Sequence, residues 1–220
     1  MLHDLLHGLI SHCFEFFKEW HYIAVIVLMA MESSIFPIPS EVVIPPAAYW
    51  ASQGKMSFWG VVLAGTFGSW LGSAITYWVS LAVGRTVILR FGKWIHITAE
   101  KLDRAERFVH RYEAGGIFFA RLLPVIRHLI SIPAGIVKMN FGLFSLMTVL
   151  GSFSWCFILA KFSLEVFKKY PDSDPVADPN KMVELIKHES HPIIIGIVVL
   201  CLLYAVAMKL TAPKKEQLAA

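Results

Sequence analysis

The chain has 220 residues, of which 56% are hydrophobic and 16% charged, and its mean hydropathy is +0.61. Soluble domains carry about a quarter charged residues, so this composition excludes disorder and argues against a nucleic-acid-binding domain or a secreted disulfide scaffold. It indicates one integral membrane domain. The net charge of +4 is typical of a membrane protein with basic cytoplasmic loops. The three scattered cysteines give no disulfide framework and no zinc spacing.

Residues 1–20 are predicted to form an amphipathic helix that lies at the membrane interface. They lack the basic start and the small-residue cleavage site of a signal peptide. His3 and His7 have the spacing of a metal-ligand pair, but no third ligand is evident, so neither a metal nor a cofactor is expected.

Three apolar runs are predicted to cross the membrane, because about 20 apolar residues span its hydrocarbon core. They are residues 56–84, 139–160 and 192–208. Within the first run, Gly68 and Gly72 form a small-xxx-small pair that suits close helix packing.

Two polar segments separate these runs. Residues 85–113 hold seven Lys or Arg against four acids, which predicts a basic cytoplasmic segment containing an amphipathic helix. Residues 161–191 are predicted to form a turn-rich loop. The side on which the N-terminus lies is left open.

Two further apolar stretches, residues 22–52 and 114–138, are interrupted by prolines. Proline removes a backbone donor and clashes with the preceding turn, so neither stretch should form a straight helix. Broken backbone at membrane depth must be buried in protein or line a wet cavity. We therefore predict two helix–break–helix hairpins that enter the membrane and turn back, with two kinked full spans as the alternative. The predicted breaks are at Pro37, Pro39, Pro124 and Pro133.

Four charged residues lie inside these interrupted stretches: Glu32 and Glu41 in the first, Arg121 and Arg127 in the second. Each charge near the centre of a membrane helix costs about 2.5–3.5 kcal/mol on insertion scales. If the hairpins face each other, the opposite charges neutralise each other in one central polar cavity, as in the inverted repeats of transporters. The alternative is a set of fixed ion pairs that only hold two broken helices together.

Two sequence motifs contain these charges. The first runs Glu32-Ser-Ser-Ile-Phe-Pro-Ile-Pro-Ser-Glu41, and the second runs Phe118-Phe-Ala-Arg-Leu-Leu-Pro-Val-Ile-Arg127 and continues to Ile132-Pro-Ala-Gly135. Together they resemble the signatures of the DedA family of bacterial inner-membrane proteins, which is related to the VTT-domain lipid scramblases. The resemblance covers most of residues 20–165. It implies an all-α polytopic membrane protein with two opposed re-entrant hairpins packed among transmembrane helices.

The resemblance also implies a function. Family members are multi-pass inner-membrane proteins linked to the cell envelope and the proton motive force, and some are flippases for undecaprenyl phosphate. The family's functional acids and arginines map onto Glu32, Glu41, Arg121 and Arg127. The chain departs from the family at Cys156, where Asn is frequent, and at Lys161-Phe162, where a Gly-Tyr pair is frequent.

We therefore expect a lipid transporter and not an enzyme. Arg121 and Arg127 would bind the phosphate, because guanidinium groups match phosphate oxygens bidentately and keep their charge. Glu32 and Glu41 would be counter-charges that take up protons when the substrate displaces them. The expected partners are a lipid phosphate, protons and the membrane, with no nucleic acid. A phospholipid flippase or scramblase and a proton–cation antiporter remain alternatives, and self-association is left open.

Overall fold

The computed structural model describes residues 20–34, 40–91, 99–123 and 126–169, together with residue 196. Every regular element within these residues is an α-helix. The predictions for residues 1–19, for the loop over 170–191 and for the span over 192–208 concern residues outside this set, apart from residue 196. The helices are α1 (Trp20–Glu32), α2 (Ser40–Ser52), α3 (Phe58–Phe91), α4 (Ala99–Leu122), α5 (Ser131–Ile136) and α6 (Phe141–Lys169).

The two long helices α3 and α6 correspond to the first two predicted spans. Their stretches Phe58–Arg85 and Phe141–Lys169 are long and apolar enough to cross a membrane. Helix α3 kinks at Gly84, whose φ of 71° is open to glycine without steric cost, and the predicted span ends there. Helix α6 continues past residue 160 to Lys169, so the start of the predicted loop is helical. The exposed i,i+4 pair of Lys161 and Glu165 supports those last turns.

Helices α3 and α6 pack side by side in opposite directions. Phe58, at the start of α3, meets Phe157, whereas Tyr77 stacks on Phe144 with ring centroids 4.9 Å apart. The outer faces of both helices expose large apolar side chains, which is the pattern of a surface in contact with lipid. These exposed residues include Leu63, Phe67, Ile75, Trp78, Leu146 and Leu150.

Helix α1 lies against α3 and runs in the same direction. Tyr22 lies next to Gly60, and the backbone of Ala30 lies next to Gly72. A Cβ atom at Gly68 or Gly72 would collide with a carbonyl oxygen of α1. The close helix approach that the small-xxx-small pair predicts is therefore confirmed.

Helix α2 returns along α6 in the direction opposite to α1. Ser40 contacts Trp155, and the ring of Tyr49 packs against that of Phe167. The rings of His21 and Trp50 meet 6.4 Å apart, near the outer ends of α1 and α2. The chain thus reverses between Glu32 and Ser40, in a segment that contains Pro37 and Pro39. Pro45 and Pro46 instead lie inside α2.

A second reversal separates α4 from α5. Helix α4 does not end near residue 113, where the predicted hairpin starts, but continues to Leu122 because its last turns pack on α6, with Phe118 and Arg121 at Gly151. Helix α5 then runs back, with Ser131 bonded to Arg121 and Gly135 close to the backbone of Tyr77.

The prediction of a break at Pro133 is wrong. Pro133 lies inside α5, three residues after the N-cap residue Ile130. The first turn of a helix needs no backbone N–H donor, so proline is tolerated there. The change of direction occurs earlier, in the turns over residues 126–130. Pro124 lies outside the described residues.

Two apolar clusters form the core. One surrounds Val43, Ile44 and Trp155 and joins α1, α2, α3 and α6, with Leu122 at its edge. The other joins α3, α4, α5 and α6 around Phe144 and includes Ile130. The polar residues between Leu122 and Ile130 therefore lie where the two clusters meet.

Candidate functional site

The two chain reversals bring three charged side chains into the interior. Glu32 is the last residue of α1, Arg121 is in the last turn of α4, and Arg127 is in the turns before α5. Each side chain is only 1% exposed. Such burial is expensive for ionised groups unless each finds partners, so the contacts of these three residues decide what the site can do.

Arg127 makes the largest number of contacts. Its Nη2 lies 3.2 Å from Oε2 of Glu32 and 3.5 Å from Oγ of Ser69 on α3, and its Nη1 donates to Oγ of Ser40 at 3.1 Å. The guanidinium also lies over the ring of Trp155, 5.3 Å from the centroid. Trp155 Nε1 in turn donates to Ser40 Oγ at 3.0 Å. The guanidinium of Arg127 thus connects α1, α2, α3 and α6.

Arg121 has a different set of partners. Its Nη1 donates to the carbonyl oxygen of Arg127 at 2.9 Å, and its Nη2 donates to Oγ of Ser131 at 2.8 Å. Both acceptors are neutral. The Cβ and Cγ atoms of Arg121 pass directly over Gly151, where a Cβ would lie only 2.6 Å from that of Arg121. Glycine at position 151 therefore lets the arginine cross α6.

The charges of the cluster do not balance among the described side chains. They contribute two guanidinium groups and one carboxylate, and within this set Arg121 forms no ion pair. Three further atoms have no hydrogen-bond partner there: Glu32 Oε1 and the Nε atoms of Arg121 and Arg127. A buried positive charge left over in this way favours binding of an anion.

Three of the four charged residues predicted for the site belong to this cluster. Glu32, Arg121 and Arg127 lie together, whereas the side chain of Glu41 lies outside the described part of the chain, although position 41 follows Ser40 directly. Pro37, Pro39 and Pro124 are also outside it. The Nδ1 atom of His128 lies 3.1 Å from the Glu32 carbonyl oxygen, which places this ring at the edge of the cluster.

The neutral members of the cluster were not predicted from the sequence. These are Ser40, Ser69, Ser131 and Trp155, all buried. Ser40 lies inside the first motif and Ser69 inside the glycine-rich run of α3, but a serine in an apolar run is common enough to pass unnoticed. At the two departures from the family pattern, Cys156 is fully buried with its Sγ facing Gly65, and Lys161 is exposed.

The profile of the VTT domain matches residues 38–163, which is more than half of the chain. The chain belongs to this family, the DedA proteins. It is 35% identical over 91% of its length to the uncharacterized membrane protein YkoX of Bacillus subtilis, covering 85% of that protein. It is 31% identical over 93% of its length to undecaprenyl phosphate transporter A of the same organism, covering 97% of it. No solved structure matches the chain.

A third relative has a different kind of name. The alkaline phosphatase-like protein of Lactococcus lactis subsp. cremoris is 33% identical over 64% of the chain and 69% of that relative.

Membership of the family, together with the two apolar helices and their exposed outer faces, makes this DedA protein an integral membrane protein.

Proposed function

We propose that this DedA protein is a flippase that moves undecaprenyl phosphate across the bacterial inner membrane with proton coupling. The observation that carries the proposal is the pair of buried arginines, of which Arg121 has only neutral acceptors within the described residues. A lipid phosphate would supply the anion that this guanidinium lacks. The 31% identity to undecaprenyl phosphate transporter A favours this carrier lipid over other lipid phosphates.

The length of α2 supports a re-entrant hairpin. Helix α2 has 13 residues and therefore extends about 20 Å, less than the roughly 30 Å of a hydrocarbon core, and α1 runs in the opposite direction. Two helices running in opposite directions would enter and leave by the same face of the membrane. Helices α4 and α5 would do so from the other face, so that the two reversals meet at mid-depth around Glu32 and Arg127.

Phosphate binding would exchange partners within the cluster. Arg127 would turn from Glu32 to the phosphate, while Ser40 and Ser69 offer hydroxyl donors on either side of it. Glu32, without its guanidinium partner and buried away from water, would then take up a proton. Glu41, which follows Ser40, would be a second counter-charge. Since both arginines are buried, the hairpins must separate to admit the head group, and the lipid tail would stay in the bilayer.

Transport fits the cluster better than hydrolysis of the phosphate. A serine nucleophile needs a free lone pair and a general base. The Oγ of Ser40 already accepts hydrogen bonds from Arg127 and from Trp155. The Nδ1 of His128 lies against a backbone carbonyl oxygen. The hydroxyls and the guanidinium groups are therefore arranged to hold an anion.

The test is the exposure of undecaprenyl phosphate on the outer leaflet of cells that lack their own transporters. A membrane-impermeant peptide that binds this lipid would report the exposure. Wild type should clear the lipid, and Arg121→Gln should not, at matched membrane abundance. Arg104→Gln is the control, because Arg104 lies exposed on the same helix and pairs with Glu100. Equal exposure in wild type and empty vector, or full clearance by Arg121→Gln, would overturn the proposal.

A further inference from the structure

The turn at residues 126–130, before α5, has one apolar exposed face and one buried face. Its backbone is helical, because the N–H of Ile130 donates to the carbonyl oxygen of Ile126 at 3.1 Å. The side chains of Ile126 and Leu129, three positions apart and therefore on one face, are 42% and 45% exposed. Those of Arg127 and Ile130, also three positions apart, are buried. The turn thus directs a guanidinium inwards and two large apolar side chains outwards.

The exposed face of this turn lies at a level where the molecule is surrounded by lipid. Arg121, which donates to the carbonyl oxygen of Arg127, crosses α6 at Gly151. Leu150, one residue earlier on α6, is 45% exposed on the apolar outer face of that helix. Large apolar side chains exposed at this level of a membrane protein contact lipid. Only the thickness of one helical turn therefore separates lipid from the guanidinium of Arg127.

The turn meets the end of α1 along a seam, which we define by the contacts of His128 and Arg127 with Glu32. The Nδ1 of His128 lies 3.1 Å from the carbonyl oxygen of Glu32, and since a carbonyl oxygen only accepts, Nδ1 carries the proton and donates it. Glu32 is the last residue of α1, so its carbonyl oxygen has no acceptor role within the helix. The ion pair between Arg127 and the Glu32 carboxylate completes the seam.

Exposure decreases from the outside of the seam to its inside. Met31 and Leu129, which are the chain neighbours of Glu32 and His128, are exposed. His128 is half-buried, and the side chains of Arg127 and Glu32 are 1% exposed. A path from lipid to the ion pair across the seam therefore passes the ring of His128.

The other sides of the guanidinium of Arg127 are covered. Trp155 of α6 lies over it, Ser40 of α2 accepts from its Nη1, and Ser69 of α3 lies 3.5 Å from its Nη2. These three helices belong to the packed core, in which a passage would have to separate close-packed side chains. Crossing the seam requires one hydrogen bond of His128 and one ion pair to open.

We propose that this seam is the port through which the head group of a lipid phosphate reaches Arg127, while its apolar chain lies on Ile126 and Leu129. His128 closes the port when no substrate is bound. The described members of the cluster have one guanidinium more than they have carboxylates, which favours an anionic head group. The exposed apolar face beside it favours a phosphate with a long apolar chain over free phosphate. This inference rests on the proposed function and adds the place at which the lipid enters.

The first test identifies the lipid that lies beside the turn. Full-length protein carries a photo-cross-linking amino acid in place of Leu129 or of Leu150, in vesicles of phosphatidylethanolamine and phosphatidylglycerol that contain undecaprenyl phosphate. Mass spectrometry of the adducts should show undecaprenyl phosphate enriched several-fold at position 129 over position 150. Undecaprenol, which has the same chain without the phosphate, should not be enriched. Leu150 is the matched control, because it is equally exposed and lies at the same level.

Two results of this test would overturn the port. One is the same adduct composition at positions 129 and 150, which is expected if the turn contacts only bulk lipid. The other is cross-linking of position 129 to another segment of the chain, which would show that protein and not lipid covers the turn.

The second test measures opening of the seam by the distance between two spin labels. The labels are attached at Met31→Cys and Leu129→Cys, which are exposed positions, in protein with Cys13, Cys156 and Cys201 replaced. Undecaprenyl phosphate should lengthen this distance, and undecaprenol should not. The control pair, Leu63→Cys and Leu150→Cys on the outer faces of α3 and α6, should keep its distance throughout.

The same labels test the role of His128. His128→Leu removes the donor to the Glu32 carbonyl oxygen and should lengthen the distance between positions 31 and 129 without any lipid. His128→Gln retains a donor and should keep the shorter distance. A distance that is unchanged in His128→Leu would overturn the role of His128 in closing the port.

The port and the proposed cargo can fail separately. Equal adducts at positions 129 and 150 in a protein that clears undecaprenyl phosphate from the outer leaflet would overturn the port and leave transport intact. Enrichment of phosphatidylglycerol instead of undecaprenyl phosphate at position 129 would support the port and overturn the cargo.

Discussion

Arginine has two different roles in this protein, one at the buried centre and one on α3 just after its kink at Gly84. After the kink, Arg85 bonds Asp103 and lies 2.6 Å from Oε2 of Glu106, so that one guanidinium meets two carboxylates on α4. At the centre, Arg121 and Arg127 meet one described carboxylate, that of Glu32. Among the described side chains of these two groups, the outer network has one carboxylate more than it has guanidinium groups, whereas the inner cluster has one guanidinium group more than it has carboxylates.

The difference in solvent exposure explains why the outer network and the inner cluster can carry net charges of opposite sign. The side chains of Arg85 and Asp103 are more than a third exposed, so water screens whatever charge the network leaves uncompensated. Arg127 and Glu32 have no such screening, and a surplus positive charge there must be met by a bound anion, by water or by the loss of a proton. The outer network is therefore a structural tie between α3 and α4, and we infer that the inner surplus serves ligand binding.

The largest effect is expected from breaking the central ion pair. Glu32→Leu leaves Arg127 buried without a counter-ion among the described side chains, which should lower the free energy of unfolding by about 3–5 kcal/mol. Denaturation of the purified protein in detergent measures this loss. The double variant Glu32→Leu/Arg127→Met removes both charges and should recover most of the stability but no transport. A double variant as unstable as the single one would show that the pair itself is not what stabilises the junction.

The architecture was predictable where a physical rule has few exceptions. Long uncharged runs predicted α3 and α6, because apolar side chains are favourable both in contact with lipid and in the protein core. The extension of α6 to Lys169 was missed because charged residues mark the end of a membrane span but not the end of a helix. The position of Pro133 was missed because a proline does not interrupt a helix when it lies in the first turn, where the backbone N–H has no partner within the helix.

The site was predictable only for its charges. Glu32, Arg121 and Arg127 stand out in apolar sequence because ionised groups are expensive there. Ser40, Ser69 and Trp155 carry no comparable cost, so the sequence does not distinguish a serine that binds a guanidinium from one that packs. Which charge pairs with which also depends on the chain reversals, and these fix Arg127 rather than Arg121 next to Glu32.

An intermediate effect is expected at Ser40, the neutral member of the cluster that joins the most partners. Its Oγ accepts from Arg127 and from Trp155, so Ser40→Ala leaves two buried donors unpaired and should cost about 1–3 kcal/mol. Adding Trp155→Phe removes one of those donors, and a double-mutant cycle should show that the two changes are not additive. Ser52→Ala is the control, since Ser52 bonds Tyr49 at the exposed end of the same helix. Additive losses would contradict the shared hydrogen bond.

The smallest effect is expected at the outer network, where we predict that the loss of a charge leaves transport intact. Arg85→Gln removes a cation from between Asp103 and Glu106, which loosens the tie between α3 and α4 but leaves the buried centre unchanged. The thermal midpoint should fall slightly in low salt and hardly at all in high salt, because salt screens exposed pairs. Clearance of undecaprenyl phosphate should persist at matched abundance. If Arg85→Gln abolished clearance, Arg85 would have to take part in transport, and the outer network could no longer be described as purely structural.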